Sequence, residues 1–295
     1  MRRILVTGGN KGIGLAIAGA ILRDHDDTAV LLGSRDRGRG QAAVDRLVAE
    51  RAGWRERVSL LELDVASDES VARAAQQVAA VHGAAPPPLH AVVNNAGLGS
   101  QVGDLRAILE VNTLGVRRVC EAFLPLVDPS AGRIVNLTSA SGPSFVSRCS
   151  PERQRTFVDP AIEWSTLQAL IDECLAIAGD RAAFAARGLD DGDPYGLSKA
   201  LANSYTLLLA REHPNLRINA CTPGFIETDM TRHYAESQGK APAELGMKPP
   251  AEGTRSAMFL LFGEPEGSGR YYGSDAQRSP LDRYRAPGTP PYTGD

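Results

Sequence analysis

Short apolar runs alternate with longer stretches of helical periodicity through most of the chain. Ile4–Thr7, Thr28–Gly33, Val58–Leu63, His90–Asn94, Gly132–Thr138 and Leu216–Cys221 are rich in β-branched residues and Leu, with no polar alternation. That pattern predicts strands covered on both faces, as in a parallel sheet. Between them, Gly12–Arg23, Arg39–Glu50, Ser67–His82, Leu105–Leu126 and Pro194–Arg211 read as helices. The β-α-β-α series predicts a doubly wound α/β fold of the Rossmann type, with helices on both faces of the sheet.

One stretch breaks the alternation. From Gly142 to Asp193 there is no strand signal, but Ser150-Pro151 offers an N-cap followed by Pro at the first helical position. Ser165–Gln168 reads as a capping box ahead of an apolar stripe, Leu167, Leu170, Ile171, Cys174 and Leu175. These signals predict an ordered helical insert at about residues 143–193. Residues 1–275 then form a single domain, with residues 229–250 as a substrate lid. Residues 276–295, rich in Pro, Gly and Arg, read as an exposed C-terminal tail.

With 43% of its 295 residues apolar, the chain has ample material for a core. Its 32 basic and 35 acidic residues nearly balance. This argues against nucleic acid or an acidic membrane surface as the main partner, because both select concentrated positive charge. Four scattered cysteines without a C-x-x-C suit free thiols in a reducing compartment, and neither they nor the five histidines show metal-ligand spacing. No apolar run reaches membrane-spanning length and no signal-peptide pattern opens the chain, so a soluble, cytoplasmic protein is expected. Only four of the 32 basic residues are lysines, which makes each lysine informative.

Thr7-Gly8-Gly9-Asn10-Lys11-Gly12-Ile13-Gly14 follows the first strand and opens the first helix. Gly8, Gly12 and Gly14 let the backbone turn tightly and approach a pyrophosphate, whose charge a helix N-terminus stabilises. The second strand ends in Gly33-Ser34-Arg35, where an NAD site usually places an acidic side chain. Arg35 and Arg39 can fork onto a 2′-phosphate, Ser34 can donate to it, and Lys11 can reach it, which favours NADP(H). Asp36, one step later, keeps NAD open. Asp64-Val65 after the third strand is placed for the adenine, and Asn94, Ala96 and Gly97 at the end of the fourth allow close approach of a cofactor.

Tyr195 and Lys199 lie at i and i+4 on one helix face. An unperturbed phenol is a poor acid–base catalyst near neutrality, and an ammonium one turn away would lower its pKa. Ser139 ends a buried strand at the carboxyl edge of the sheet, where ligands bind in open α/β folds, and can hold a substrate oxygen near Tyr195. Asn112 falls inside an apolar helix, where backbone bonding is the plain alternative to a functional role.

The joint pattern of Thr7-Gly8-x-x-x-Gly12-x-Gly14, Asn94-Asn95-Ala96-Gly97, Asn112, Ser139, Tyr195-x-x-x-Lys199 and Pro223-Gly224 resembles the short-chain dehydrogenase/reductases. Thr7–Ile17, Arg35–Val44 and Asn219–Met230 are similar to the monomeric NADPH-dependent carbonyl reductase subgroup, as is the 56-position separation of Ser139 and Tyr195. The resemblance implies reduction of a ketone or aldehyde, with hydrophobic ones favoured. Hydride would come from the nicotinamide and a proton from Tyr195. Ser139 would orient the carbonyl oxygen, Lys199 would hold the ribose, and Asn112 would support Lys199 through water. Ile226 and Thr228, after Pro223-Gly224, would bind the carboxamide. It also implies a monomer, because the subgroup's insert covers a surface that other members use to dimerise.

Departures from the subgroup are a short Gly97–Asn112 stretch, Thr222 in place of a cysteine, and a lid without a matching pattern. The substrate therefore stays open, between detoxification and the biosynthetic ketones handled by relatives that share the insert. Two rivals remain: an NAD-dependent alcohol dehydrogenase of the same fold, and a non-catalytic NADP-binding or interaction protein. Intact Ser139, Tyr195 and Lys199 argue against the second.

Overall fold

A computed structural model describes residues 1–294; Asp295, the last residue of the expected tail, lies outside them. The elements follow in order as β1 (Arg2–Val6), α1 (Gly12–Asp24), β2 (Thr28–Ser34), α2 (Arg37–Glu50), β3 (Val58–Glu62), α3 (Asp68–His82) and β4 (Ala91–Asn94). Next come α4 (Leu105–Leu109), a π-helical turn (Glu110–Leu114), α5 (Gly115–Phe123) and β5 (Arg133–Leu137). The insert consists of α6 (Ser141–Arg148), α7 (Pro151–Val158), α8 (Trp164–Ala176) and α9 (Arg181–Ala186). The chain continues through α10 (Pro194–Glu212), β6 (Arg217–Cys221), α11 (Asp229–Ser237), α12 (Arg255–Phe262), β7 (Tyr271–Tyr272) and β8 (Arg278–Ser279).

The sheet runs β3-β2-β1-β4-β5-β6-β7-β8, parallel except for the last pair. Its centre is dry on both faces: every residue of β2, β4 and β5 is buried. One core lies under α3, α5 and α10, the other under α1, α2 and α12. Strand order reverses between β1 and β4, so the loops at their carboxyl ends diverge and open a crevice, the usual ligand site of this architecture.

The expected helix Leu105–Leu126 is broken. A π turn holds Asn112, and the helix ends in a 3₁₀ turn at Leu124–Leu126, where Pro125 lacks the amide an α-helix needs. In the insert, Ser150 caps α7 as expected, accepting from the Arg153 amide at 3.3 Å. The capping box at Ser165 does not form. Helix α8 starts two residues earlier, with Glu163 at the N-cap, and Trp164 is pinned edge-on against Tyr205 and covered by the Arg117 guanidinium. Its stripe is nevertheless buried at Leu167, Leu170, Ile171 and Cys174.

The tail also differs from expectation. Strand β8 pairs antiparallel with β7, and Ser279 is only 6% exposed, so the chain beyond residue 276 starts as part of the sheet. Arg285 then folds back onto Asp275 in an almost buried ion pair. Short strands of two residues and a pair of charges ten positions apart leave no periodic signal.

Candidate active site

The N-terminus of α10 is built for precision. Pro194 fixes the first turn, and the Asp193 carboxylate accepts from the amides of Tyr195 and Gly196, both at 3.1 Å. Tyr195 and Lys199 therefore emerge from a capped, rigid turn into the crevice, where both line a cavity of ≈ 620 Å³. Ser139, just past β5, lies near the Tyr195 hydroxyl, close enough to oppose the rise of its pKa. Its own hydroxyl is steadied by the Ser141 amide at 3.1 Å and the Ser141 hydroxyl at 3.2 Å. Lys199 is 5% exposed, with Nζ donating to the Leu137 carbonyl at 3.2 Å and standing 5.7 Å from the Tyr195 ring centre.

Burial disfavours the charged form of both catalytic groups. It lowers the Lys199 ammonium to about 8. It raises the Tyr195 phenol, and nearby Asp193 adds to the rise while Ser139 opposes it. The expected downward shift of Tyr195 by its lysine is therefore absent from this arrangement. Desolvation dominates, and the ammonium is directed at a carbonyl rather than at the phenol oxygen. A protonated Tyr195 is the state a proton donor needs.

Asn112 has a more definite place than helix periodicity suggested. Its carbonyl accepts from the Leu98 amide at 2.8 Å, and its amide donates to the Leu98 carbonyl at 2.9 Å and Ser198 Oγ at 3.0 Å. It thus ties the loop after β4 to α10. A methyl group on Gly97 would lie 3.3 Å from Asn112 Oδ1 and 3.6 Å from Lys199 Nζ, so these three positions converge.

The other end of the crevice fits a dinucleotide. Gly8 and Gly12 have φ of 62° and 56°, in the left-handed region. A Cβ on Gly14 would fall 2.5 Å from the Gly8 carbonyl. The first turn of α1 has no side-chain cap, which leaves its amides free for an anion. Asn10, Lys11 and Ile13 line the cleft beside these glycines, and Asp64, Val65, Ala96, Gly97, Pro223 and Thr228 complete its walls.

Several expected cofactor residues are placed elsewhere. Asn94 points into the sheet, donating to Asn136 Oδ1 at 2.9 Å, and its neighbour Asn95 faces the cleft, bonded to the Thr7 and Gly8 carbonyls. Ser34 is buried and its hydroxyl is engaged by the Asp36 carbonyl at 2.8 Å. Arg39 lies outside the cleft wall and pairs with Asp36 at 3.2 Å. Arg35 does line the cleft, and among the described residues nothing binds its guanidinium. Lys11 pairs across the cleft with Asp229 at 2.8 Å, at the start of the segment expected to be a lid. Gly224 and Ile226 sit behind the wall, with the Ile226 carbonyl accepting from Thr231 Oγ1 at 2.6 Å.

Sequence reasoning missed Asn95, Asp193, Arg46 and Met230. The Asp193-Pro194 pair was a legible helix-start signal. Arg46 lines the cleft from one turn before the end of α2, and Met230 overhangs Gly99 and Gln101. Neither carries a local signature.

Against known proteins, the family model for short chain dehydrogenase matches residues 2–150, just over half of the chain. The chain belongs to the short-chain dehydrogenase family. Carbonyl reductase (NADPH) 1 of Pongo abelii is 31% identical over 282 residues, covering 91% of this chain and 94% of that protein. Among solved structures, menthone neomenthol reductase from Mentha piperita superposes with a TM-score of 0.75 at 25% identity, covering 92% of this chain and 98% of its own. Salutaridine reductase from Papaver somniferum gives 0.76 at 24% identity, covering 92% and 99%, and shows the shared fold. In this chain Tyr195 and Lys199 line one end of the glycine-lined crevice, with Ser139 just behind its wall.

Proposed function

We propose that the protein reduces a ketone or aldehyde to an alcohol with NADPH. The observation that carries this is that Tyr195 and Lys199, with Ser139 close by, stand at one end of a crevice whose other end is the glycine turn and the uncapped N-terminus of α1. Bound in the crevice, the nicotinamide cofactor would supply hydride to the substrate carbon. Ser139 orients the carbonyl oxygen and donates a hydrogen bond that strengthens as charge develops there. Tyr195 Oη gives that oxygen its proton. Lys199 would hold ribose hydroxyls of the cofactor. Asn112, through Ser198 and the Leu98 backbone, fixes the distance between that helix and the cofactor loop.

Arg35 supports NADPH over NADH, because it is a free guanidinium at the end of β2. Asp36, the acid that would favour NADH, is occupied as the α2 N-cap, accepting from the Arg39 amide at 2.7 Å, and that bond holds its carboxyl below the usual range. The named activity of the carbonyl reductase relatives agrees.

A monomer is the matching assembly. The insert already covers the outer face of α10, with Ser204 bonded to the Phe157 carbonyl at 2.6 Å and Arg211 to the carbonyls of Pro160 and Ile162. Among the described residues no helix is long and apolar enough to cross a membrane; the cytoplasmic setting rests instead on the buried free thiols of Cys120, Cys149, Cys174 and Cys221, which suit a reducing compartment. The decisive experiment screens quinones, aromatic ketones, terpenoid ketones and aldehydes with NADPH deuterated at both C4 positions. Deuterium on the carbinol carbon of a ketone or aldehyde product is expected, while quinones are scored by NADPH oxidation because a hydroquinone has no carbinol hydrogen; an unlabelled alcohol, or no turnover of any of the four classes, overturns the assignment. Light scattering on the purified chain should give the monomer mass, and a stable dimer would refute that part.

A further inference from the structure

An open, solvent-facing cavity of ≈ 280 Å³ is lined by Ala140, Ser141, Ser144, Arg148, Asp193 and a half-exposed Tyr284, beside the turn that carries Tyr195. It is one hydrogen bond from the reaction centre: Ser141 Oγ contacts Ser139 Oγ at 3.2 Å, and Asp193 caps the turn that carries Tyr195. One wall comes from the C-terminal tail. Tyr284 is held there by its neighbour Arg285, whose side chain is 7% exposed and paired with Asp275. A further bond from Arg285 Nη1 to the Thr289 carbonyl at 2.8 Å, and one from the Gly288 amide to Asp275 at 3.2 Å, fasten the loop around it.

The lining is polar. Arg148 is charge-balanced by Asp190 at 2.5 Å and donates to the Ser144 carbonyl at 2.8 Å. Asp193 already accepts two amides. Among the described residues, the Tyr284 and Ser144 hydroxyls and Arg148 Nη2 have no hydrogen-bond partner. With Arg148 charge-balanced by Asp190 and Asp193 by its two amides, the free donors suit an uncharged acceptor better than an anion.

We propose that this cavity is a substrate subsite for an uncharged hydrogen-bonding group, a hydroxyl or second carbonyl, carried on the part of the substrate remote from the reacting carbonyl. Tyr284 and Arg148 determine that specificity, and Arg285 positions Tyr284. The proposal rests on the reductase reading above.

The test compares two ketones that differ only at the remote end, 4-(4-hydroxyphenyl)butan-2-one and 4-(4-methylphenyl)butan-2-one, whose carbonyls are insulated from the ring. The wild type should favour the hydroxyl compound in kcat/KM. Tyr284→Phe and Arg148→Ala should each lower the ratio between the two about 5-fold or more, with the NADPH Kd unchanged, which also shows that the variants fold. Arg285→Ala should lower it too, through loss of the clamp. An unchanged ratio in both Tyr284→Phe and Arg148→Ala overturns the subsite alone. Reduction of neither ketone by the wild type, nor of the four-class panel, overturns the reductase reading and the subsite with it.

Discussion

Replacing Arg35 by alanine removes the one guanidinium at the end of β2 that faces the cleft and is bound by nothing among the described residues. Its neighbour Arg39 does not substitute for it, because Asp36 holds both its amide and its side chain. A charge-assisted hydrogen bond contributes about 1.5–3 kcal/mol, and Arg35 is exposed, so screening puts the value at the lower end, about 1.5 kcal/mol. Since about 1.4 kcal/mol corresponds to a tenfold change, the NADPH Kd should rise roughly tenfold. NADH lacks the 2′-phosphate and should bind the variant as it binds the wild type. Fluorescence titration of both nucleotides at fixed ionic strength measures the difference. Raising the salt should shrink the wild-type preference, because an exposed contact is screened. Equal weakening of NADH and NADPH would refute the reasoning, since it would place Arg35 in a role common to both nucleotides.

Other expectations follow from the same geometry. Lys199 is held down to about 8 by burial, so it is mostly charged at neutrality and half charged near pH 8; the rate of reduction should be highest near neutrality, fall to about half near pH 8 and decline further above it, which a kcat–pH profile checks. Asp193→Ala removes two amide acceptors at the start of α10 and should cost about 1 kcal/mol, lowering the melting temperature by roughly 2 °C together with kcat, while Asp193→Asn should retain most of the stability. Gly14→Ala places a methyl 2.4 Å from Asn95 Nδ2 and 2.5 Å from the Gly8 carbonyl and should weaken nucleotide binding at least tenfold, read by titration, because the backbone of the glycine turn must yield along with the Asn95 side chain that braces it.

The sheet and the Tyr195–Lys199 pair were legible because each depends on a local period. Unbroken apolar runs mark strands buried on both faces, and a spacing of four puts two side chains on one helical face. What stayed hidden depends on single-residue register or on distant partners. Asn94 and Asn95 differ only in which side of β4 they leave, and Asn94 meets Asn136 across the sheet while Asn95 meets Thr7 at the cleft. The π turn around Asn112 is set by the loop and helix that Asn112 joins, not by its own segment. Lys11 finds Asp229 across 218 positions, and Tyr284 reaches the second cavity only because Arg285 and Asp275 fold the tail back.

The most direct test of the proton-donor role is Tyr195→Phe, measured as two numbers on one preparation: NADPH affinity and carbonyl-dependent NADPH oxidation. The ring would stay in the turn fixed by Asp193, and the one atom removed is the hydroxyl that lies near Ser139. NADPH should bind as it does to the wild type while turnover falls by about 10²-fold or more. Turnover that survives unchanged, with NADPH still bound, would contradict the account.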